Sequence, residues 1–124
     1  MEERLGSLPK NTCLLMSGEY LEAAPPIDWG GNITLETVYS FDPVPAEVAA
    51  AQRSHILGVQ GCVWTEFIST SARVEYMAFP RAMALAEVAW SRPAMRDWGD
   101  FQDRLRGQER MLTDLELNYR PLDS

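Results

Sequence analysis

Trp64 and Glu66 stand two residues apart at the end of the run Gly58-Val59-Gln60-Gly61-Cys62-Val63-Trp64-Thr65-Glu66. The run is short, mostly apolar and free of proline, so it reads as a strand over 56–63 that ends in an indole and a carboxylate. Side chains two apart on a strand share a face. An aromatic plate beside a hydrogen-bond acceptor matches the two surfaces of a sugar ring, its C–H face and its hydroxyl edge. These two residues carry the chemistry most specific to this sequence.

The other reactive side chains point elsewhere. Cys13 and Cys62 each sit inside an apolar run and read as buried thiols in strands, with a disulfide between them left open. His55 falls in the polar approach to the 56–63 strand and reads as structural or solvated. One histidine and two separated cysteines do not make a zinc pattern. The chain has 124 residues, 46% hydrophobic and 23% charged, which is the composition of one globular domain. Its net charge of -7 argues against a nucleic-acid partner, which would require a basic face. No run approaches the roughly 20 apolar residues of a membrane span. The first residues lack the charged-then-apolar pattern of a signal peptide, and the sequence implies no particular compartment.

The elements that would position Trp64 and Glu66 follow from local pattern. Residues 1–10 form a polar lead-in broken by Gly6 and Pro9, and 11–124 form the body of the chain. Residues 12–17 are a nearly continuous apolar run, as in a strand buried on both faces. Residues 23–33 have loop composition. Thr34 is placed to cap a short helix over 35–40, ended by Asp42-Pro43 and Pro45. Residues 46–53 have strong helix propensity. A helical stretch over 72–90 is interrupted by Pro80, which belongs in the first turn of a second helix. That second helix, with Met83, Leu85, Ala86, Val88, Ala89 and Trp90, is expected to be largely buried, and Ser91-Arg92-Pro93 ends it. A last helix over 97–115 carries an apolar stripe of Trp98, Phe101, Leu105, Met111, Leu112 and Leu115. Two buried strands joined through helix imply a parallel pair. Two strands alone leave faces and edges uncovered, so more sheet is expected outside this pair.

Several segments together resemble the C-terminal part of the catalytic domain of glycoside hydrolase family 20 β-N-acetylhexosaminidases. They are Leu15-Met16-Ser17 leading to Tyr20-Leu21-Glu22, Thr34-Leu35-Glu36-Thr37-Val38-Tyr39-Ser40-Phe41-Asp42-Pro43, and the 58–66 run. Further along come Glu75-Tyr76-Met77-Ala78-Phe79-Pro80-Arg81, Leu85-Ala86-Glu87-Val88-Ala89-Trp90-Ser91 and Asn118-Tyr119-Arg120-Pro121. The resemblance spans roughly residues 11–121 in order. It implies an α/β fold comprising the last two β/α units of a (β/α)8 TIM barrel plus C-terminal helices, an incomplete barrel. Barrel sites lie at the C-terminal ends of strands, where the pattern already places Tyr20 and Trp64.

The resemblance also implies an activity, removal of terminal non-reducing β-linked N-acetylglucosamine or N-acetylgalactosamine with retention. In this family the substrate's own acetamido oxygen attacks the anomeric carbon, so no metal or organic cofactor is implied. An adjacent Asp-Glu pair holds the acetamido N–H and protonates the leaving oxygen, and no Asp here is followed directly by Glu. The general acid and its partner are therefore absent from these residues. By the same resemblance Tyr20 orients the acetamido oxygen, Trp64 forms a wall of the sugar pocket and Glu66 accepts hydrogen bonds from distal hydroxyls. Glu22 stands where the family has Asp, and its extra methylene shifts the carboxylate that meets the sugar hydroxyls. Trp29, in Asp28-Trp29-Gly30-Gly31, is placed either over the pocket or against the scaffold. Trp90 and Trp98 are expected in the core, and Glu75, Arg81 and Glu87 are expected to brace helices through a buried Arg–carboxylate pair. The implied partners are glycans containing N-acetylhexosamine, and a segment carrying the preceding strands or a second copy of the chain. The chain is expected to be inactive alone. The alternative is a non-catalytic remnant that binds carbohydrate or docks on a protein.

Overall fold

The computed structural model describes residues 33–63 and 68–122. Four α-helices follow one another: α1 (Leu35–Tyr39), α2 (Ser71–Ala78), α3 (Arg81–Trp90) and α4 (Trp98–Asp114), with 3-10 helices at Ala50–His55 and Pro93–Met95. There is no strand among the described residues. The α/β expectation is thus met only in its helices. Residues 56–63 carry no ladder, although Ile56 has extended dihedrals. A strand is defined by hydrogen bonds to a neighbour, and the expected partner at 12–17 lies outside the described residues.

The cap read from sequence at Thr34 is present, and the structure adds two more at Thr70 and Asp97. The Thr34 hydroxyl accepts from the Thr37 N–H at 3.1 Å, opening α1. The Thr70 hydroxyl accepts from the Arg73 N–H at 3.2 Å, opening α2, and the Asp97 carboxylate accepts from the Asp100 N–H at 2.8 Å, opening α4. Each cap satisfies a donor that would otherwise have no partner in the first turn. Pro80 separates α2 from α3 as expected, and its carbonyl accepts from Met83 N at 2.9 Å and Ala84 N at 3.3 Å.

One expected helix is replaced. Residues 46–53 form turns that lead into the 3-10 helix at Ala50–His55, whose six residues are all exposed. Alanine-rich propensity favours a helix, but a helix this short is marginal without a face to bury. His55 is accordingly solvated, and Cys62 is a half-buried free thiol. Cys13 lies outside the described residues.

The core sits where α1, α3 and α4 meet. Val38, Tyr39, Ala84, Leu85, Phe101 and Leu105 form its buried cluster. Three rings meet there: Tyr39 stacks on Phe101 at 4.8 Å between centroids, and Trp98 lies 5.2 Å from Tyr39 and 5.8 Å from Phe101. Trp98 is thus part of the core's edge, half-buried against the cluster. Trp90 is not, being 90% exposed. On α3 the buried residues are Arg81, Ala84, Leu85 and Val88, one helical face; Ala86, Ala89 and Trp90 lie off it and no described element covers them. The α4 stripe is also narrower than expected. Phe101, Leu105 and Leu112 are buried, while Met111 and Leu115 are exposed. Met111 precedes Leu112 and so points about 100° round the helix from it. Leu115 lies beyond the last turn as the C-cap.

Polar contacts fasten this core at its edges. The Arg104 guanidinium grips Glu87 of α3 through two contacts, Nη2–Oε1 at 2.8 Å and Nη1–Oε2 at 3.3 Å, and also reaches Asp100 at 2.8 Å. The hydrogen bond from Arg104 holds the Glu87 carboxyl below the ordinary glutamate value of 4.5, against a smaller upward push from burial. The same contacts raise the Arg104 guanidinium above the ordinary arginine range. Burial, and then the charges of Glu87 and Asp97, push the Tyr39 hydroxyl up, and this hydroxyl has no hydrogen-bond partner among the described residues. Arg96 Nη1 donates to the Phe41 carbonyl at 3.2 Å, tying the end of α1 to the α3–α4 connection.

α4 ends in a left-handed reversal. Glu116 has φ 56°, Leu117 N donates to Leu112 O at 3.1 Å, and Glu116 N donates to Thr113 O at 2.9 Å. This is the double-bonded C-terminal motif that glycine usually completes, here at a cost of about 1 kcal/mol for a side chain. The reversal sends the tail back along α2. Asn118 N donates to Glu75 Oε2 at 2.8 Å, Asn118 Nδ2 donates to Ala72 O at 2.8 Å, and Arg120 N donates to Phe79 O at 3.1 Å.

Two outcomes follow for stability. Phe101→Ala is expected to destabilise the chain by about 3–5 kcal/mol, whereas Trp90→Ala is expected to change it by less than about 0.5 kcal/mol; chemical denaturation of both variants measures the contrast. Glu87 is depressed in the folded state, so its contribution is present above about pH 4.5 and lost as pH falls through its folded value. The melting-temperature gap between wild type and Glu87→Gln is therefore expected to be steady near neutrality and to close in acid. A gap unchanged down to about pH 3 would overturn the ion-pair assignment.

Candidate functional site

The five residues that the sequence assigns to a sugar pocket, Tyr20, Glu22, Trp29, Trp64 and Glu66, lie outside the described residues. The structure instead shows the frame on either side of them in the chain. Val63 and Ile68 bound the segment that carries Trp64 and Glu66, and Thr70 caps α2 four residues after Glu66. Ile33, which follows the segment with Trp29, gives its carbonyl to Arg81 Nη1 at 3.0 Å.

Arg81 is 2% exposed, the most buried charge among the described residues. Its Nη2 donates to the Met77 carbonyl in addition to the bond with Ile33. The expected bracing by Glu75 and Glu87 takes a different form. Glu75 accepts from the Asn118 backbone, and Glu87 pairs with Arg104. The planar guanidinium explains why arginine suits this place, since its fork bonds two carbonyls from different parts of the chain at once. The result is a rigid junction among residue 33, the end of α2 and the start of α3.

Two grooves open on the described surface. One, of about 460 Å³, runs between α3 and α4 past Met83, Trp90, Phe101 and Leu105, with the Glu87–Arg104 pair in its wall. The other, of about 590 Å³, lies between the 42–59 segment and the end of α3, with Arg53, Leu57 and Arg96 on its sides. Neither is lined by a histidine, a cysteine or a lysine. In the first groove, the carboxylate and guanidinium already satisfy each other, which leaves no poised acid. Among the described residues no cluster of His, Cys, Asp and Glu is arranged to hold a metal ion, and no helix is long and apolar enough to cross a membrane.

Sequence reasoning missed two polar features. The Asp100–Arg104 spacing of four was visible as a helical ion pair, but the Glu87–Arg104 bond crosses 17 positions and has no local signal. The Asn118 contacts cross 43 and 46 positions. The motif Asn118-Tyr119-Arg120-Pro121 marked the place without stating its role.

Comparison with known proteins supplies what the described geometry does not. Residues 9–93 match the family described as Glycosyl hydrolase family 20, catalytic domain. The β-hexosaminidase of Porphyromonas gingivalis is 41% identical over 80 residues, covering 64% of this chain and 10% of that protein. The β-N-acetylhexosaminidase of Cellulomonas fimi is 35% identical over 79 residues, covering 64% of this chain and 16% of that protein. Among solved structures, the GH20 exo-β-N-acetylglucosaminidase from Vibrio harveyi in complex with N-acetylglucosamine superposes with a TM-score of 0.76 at 33% identity, over 92% of this chain and 18% of that one. The GH20 β-N-acetylhexosaminidase from Streptomyces coelicolor superposes with a TM-score of 0.69 at 31% identity, over 87% of this chain and 22% of that one. The chain thus spans between a tenth and about a fifth of the length of these relatives. With more than half of its residues matched and its fold shared with two solved members, the chain belongs to glycosyl hydrolase family 20.

Proposed function

We propose that this chain forms one wall of the sugar pocket of a β-N-acetylhexosaminidase that removes terminal, non-reducing β-linked N-acetylglucosamine or N-acetylgalactosamine. The observation that carries this reading is the family match over residues 9–93, which includes all five candidate pocket residues. In this reading residues 12–17 and 56–63 are the last two strands of a (β/α)8 barrel, and the described helices are its outer layer and C-terminal addition. The short relative span of the chain and the uncovered side of α3 both accord with a larger assembly.

The chemistry is divided accordingly. The acetamido oxygen of the substrate is the nucleophile in a retaining, substrate-assisted reaction. Tyr20 donates a hydrogen bond that aims this oxygen and stabilises it as charge develops. Trp64 covers the C–H face of the ring, and Glu66 accepts from its distal hydroxyls. Glu22 meets further hydroxyls with a reach one methylene longer than the family's Asp, and Trp29 closes the pocket from its loop. The proton for the leaving oxygen comes from an Asp-Glu pair that these 124 residues do not contain, because no Asp here precedes a Glu directly. The reaction so derived asks for no cofactor, and the pair and the remaining strands come from another polypeptide segment.

The test is complementation. The pure chain is expected not to hydrolyse 4-nitrophenyl N-acetyl-β-glucosaminide. Mixing it with the part of the Porphyromonas gingivalis relative that precedes the matched region is expected to generate hydrolysis. Tyr20→Phe in that mixture is expected to lower kcat by roughly 10²-fold, the usual effect of removing one donor to a developing oxyanion. Turnover by the pure chain would overturn the division of labour. Sugar binding by the chain with no turnover in any mixture would favour a non-catalytic carbohydrate-binding role.

A further inference from the structure

We propose that Asn118 is a positioning residue for the sugar pocket, clamping the first turn of α2 and thereby fixing the helix start that follows Trp64 and Glu66 in the chain. This inference rests on the pocket reading above and adds a residue that lies far from the pocket in sequence.

The contacts are specific in number and direction. Asn118 holds α2 at two points: its side-chain amide donates to the Ala72 carbonyl at 2.8 Å, and its backbone N–H donates to the Glu75 carboxylate at 2.8 Å. Arg120 N adds a third point at Phe79 O, 3.1 Å away. Residues 72, 75 and 79 are three and four apart, so the tail grips one face of the helix from its first turn to its end. Ala72 is only two residues beyond the Thr70 cap. A shift or fraying of this turn therefore moves the residues immediately before it.

The chain end is aimed at α2 by its own backbone. The left-handed Glu116 and the bonds from Glu116 N and Leu117 N reverse the direction of α4 within two residues of Asn118. A glycine would adopt this φ freely, so the reversal does not owe its presence to the side chain there, and the clasp contributes to holding it. Asparagine suits the position because its amide supplies a donor to Ala72 O. An aspartate of the same shape would place two acceptors against each other there.

These bonds lie at the surface and their loss leaves the buried core of α1, α3 and α4 in place. The full chain carrying Asn118→Asp is therefore expected to keep its circular dichroism and the amide-exchange rates of α4. Exchange at the α2 amides is expected to rise by roughly three- to tenfold, the factor equivalent to one lost hydrogen bond. Titration of the same chains, each mixed with the part of the Porphyromonas gingivalis relative that precedes the matched region, is expected to show weaker N-acetylglucosamine binding with Asn118→Asp than with wild type. Asn118→Gln keeps the amide donors and is expected to fall between them. Unchanged exchange in α2 would overturn the clasp. Faster exchange in α2 with an unchanged dissociation constant would overturn the positioning role alone. A wild-type mixture that ignores the sugar would instead defeat the pocket reading, while the exchange result still decides whether the clasp exists.

Discussion

The stacking of Tyr39 on Phe101 is the contact on which the described structure depends. α1 is only five residues long, too short to persist by its own hydrogen bonds. It exists because Val38 and Tyr39 are buried against α3 and α4, where ring surface is removed from water on several sides at once. The Tyr39 hydroxyl is buried there without a hydrogen-bond partner among the described residues. The site accepts that cost because the ring contributes more apolar contact than its one polar atom loses. With this contact in place α3 and α4 have a fixed spacing, and Glu87 and Arg104 can meet across it.

The polar bonds then act as directional ties around an apolar centre. Arg81 joins residue 33 to the end of α2, Arg96 joins the end of α1 to the α3–α4 connection, and Arg104 joins α3 to α4. Arginine does this repeatedly because its fork reaches two acceptors while its aliphatic stem packs against apolar neighbours. Asn118 completes the set by returning the chain end to α2. In the pocket reading, these ties stiffen the outer layer of a barrel against which a wall of sugar-binding residues is held.

Much of this was legible from local pattern. The cap at Thr34, the break at Pro80 and the extent of α4 all depend on interactions within a few residues, so spacing reveals them. The misreadings share one cause. Helical spacing and apolar neighbours in sequence point Trp90 to the core, but hydrophobicity states what a side chain prefers and not whether a neighbour is present to cover it. The 46–53 segment had helix propensity without a face to bury. The strand expected at 56–63 is a separate matter: ladder bonds belong to a pair of strands, and its expected partner at 12–17 lies outside the described residues.

The sequence by itself determined the family, through six motifs in order, and it carries the indole, phenol and carboxylates on which the proposed pocket rests. It also determined that an adjacent Asp-Glu pair is absent, since that is a property of the chain's covalent order. Only the tertiary structure decided which carboxylate meets which arginine, where the chain end returns, and which apolar residues of α3 are buried. Those outcomes depend on contacts between positions 17 to 55 apart, whose distances are set by helix packing and leave no periodic trace in the residues between.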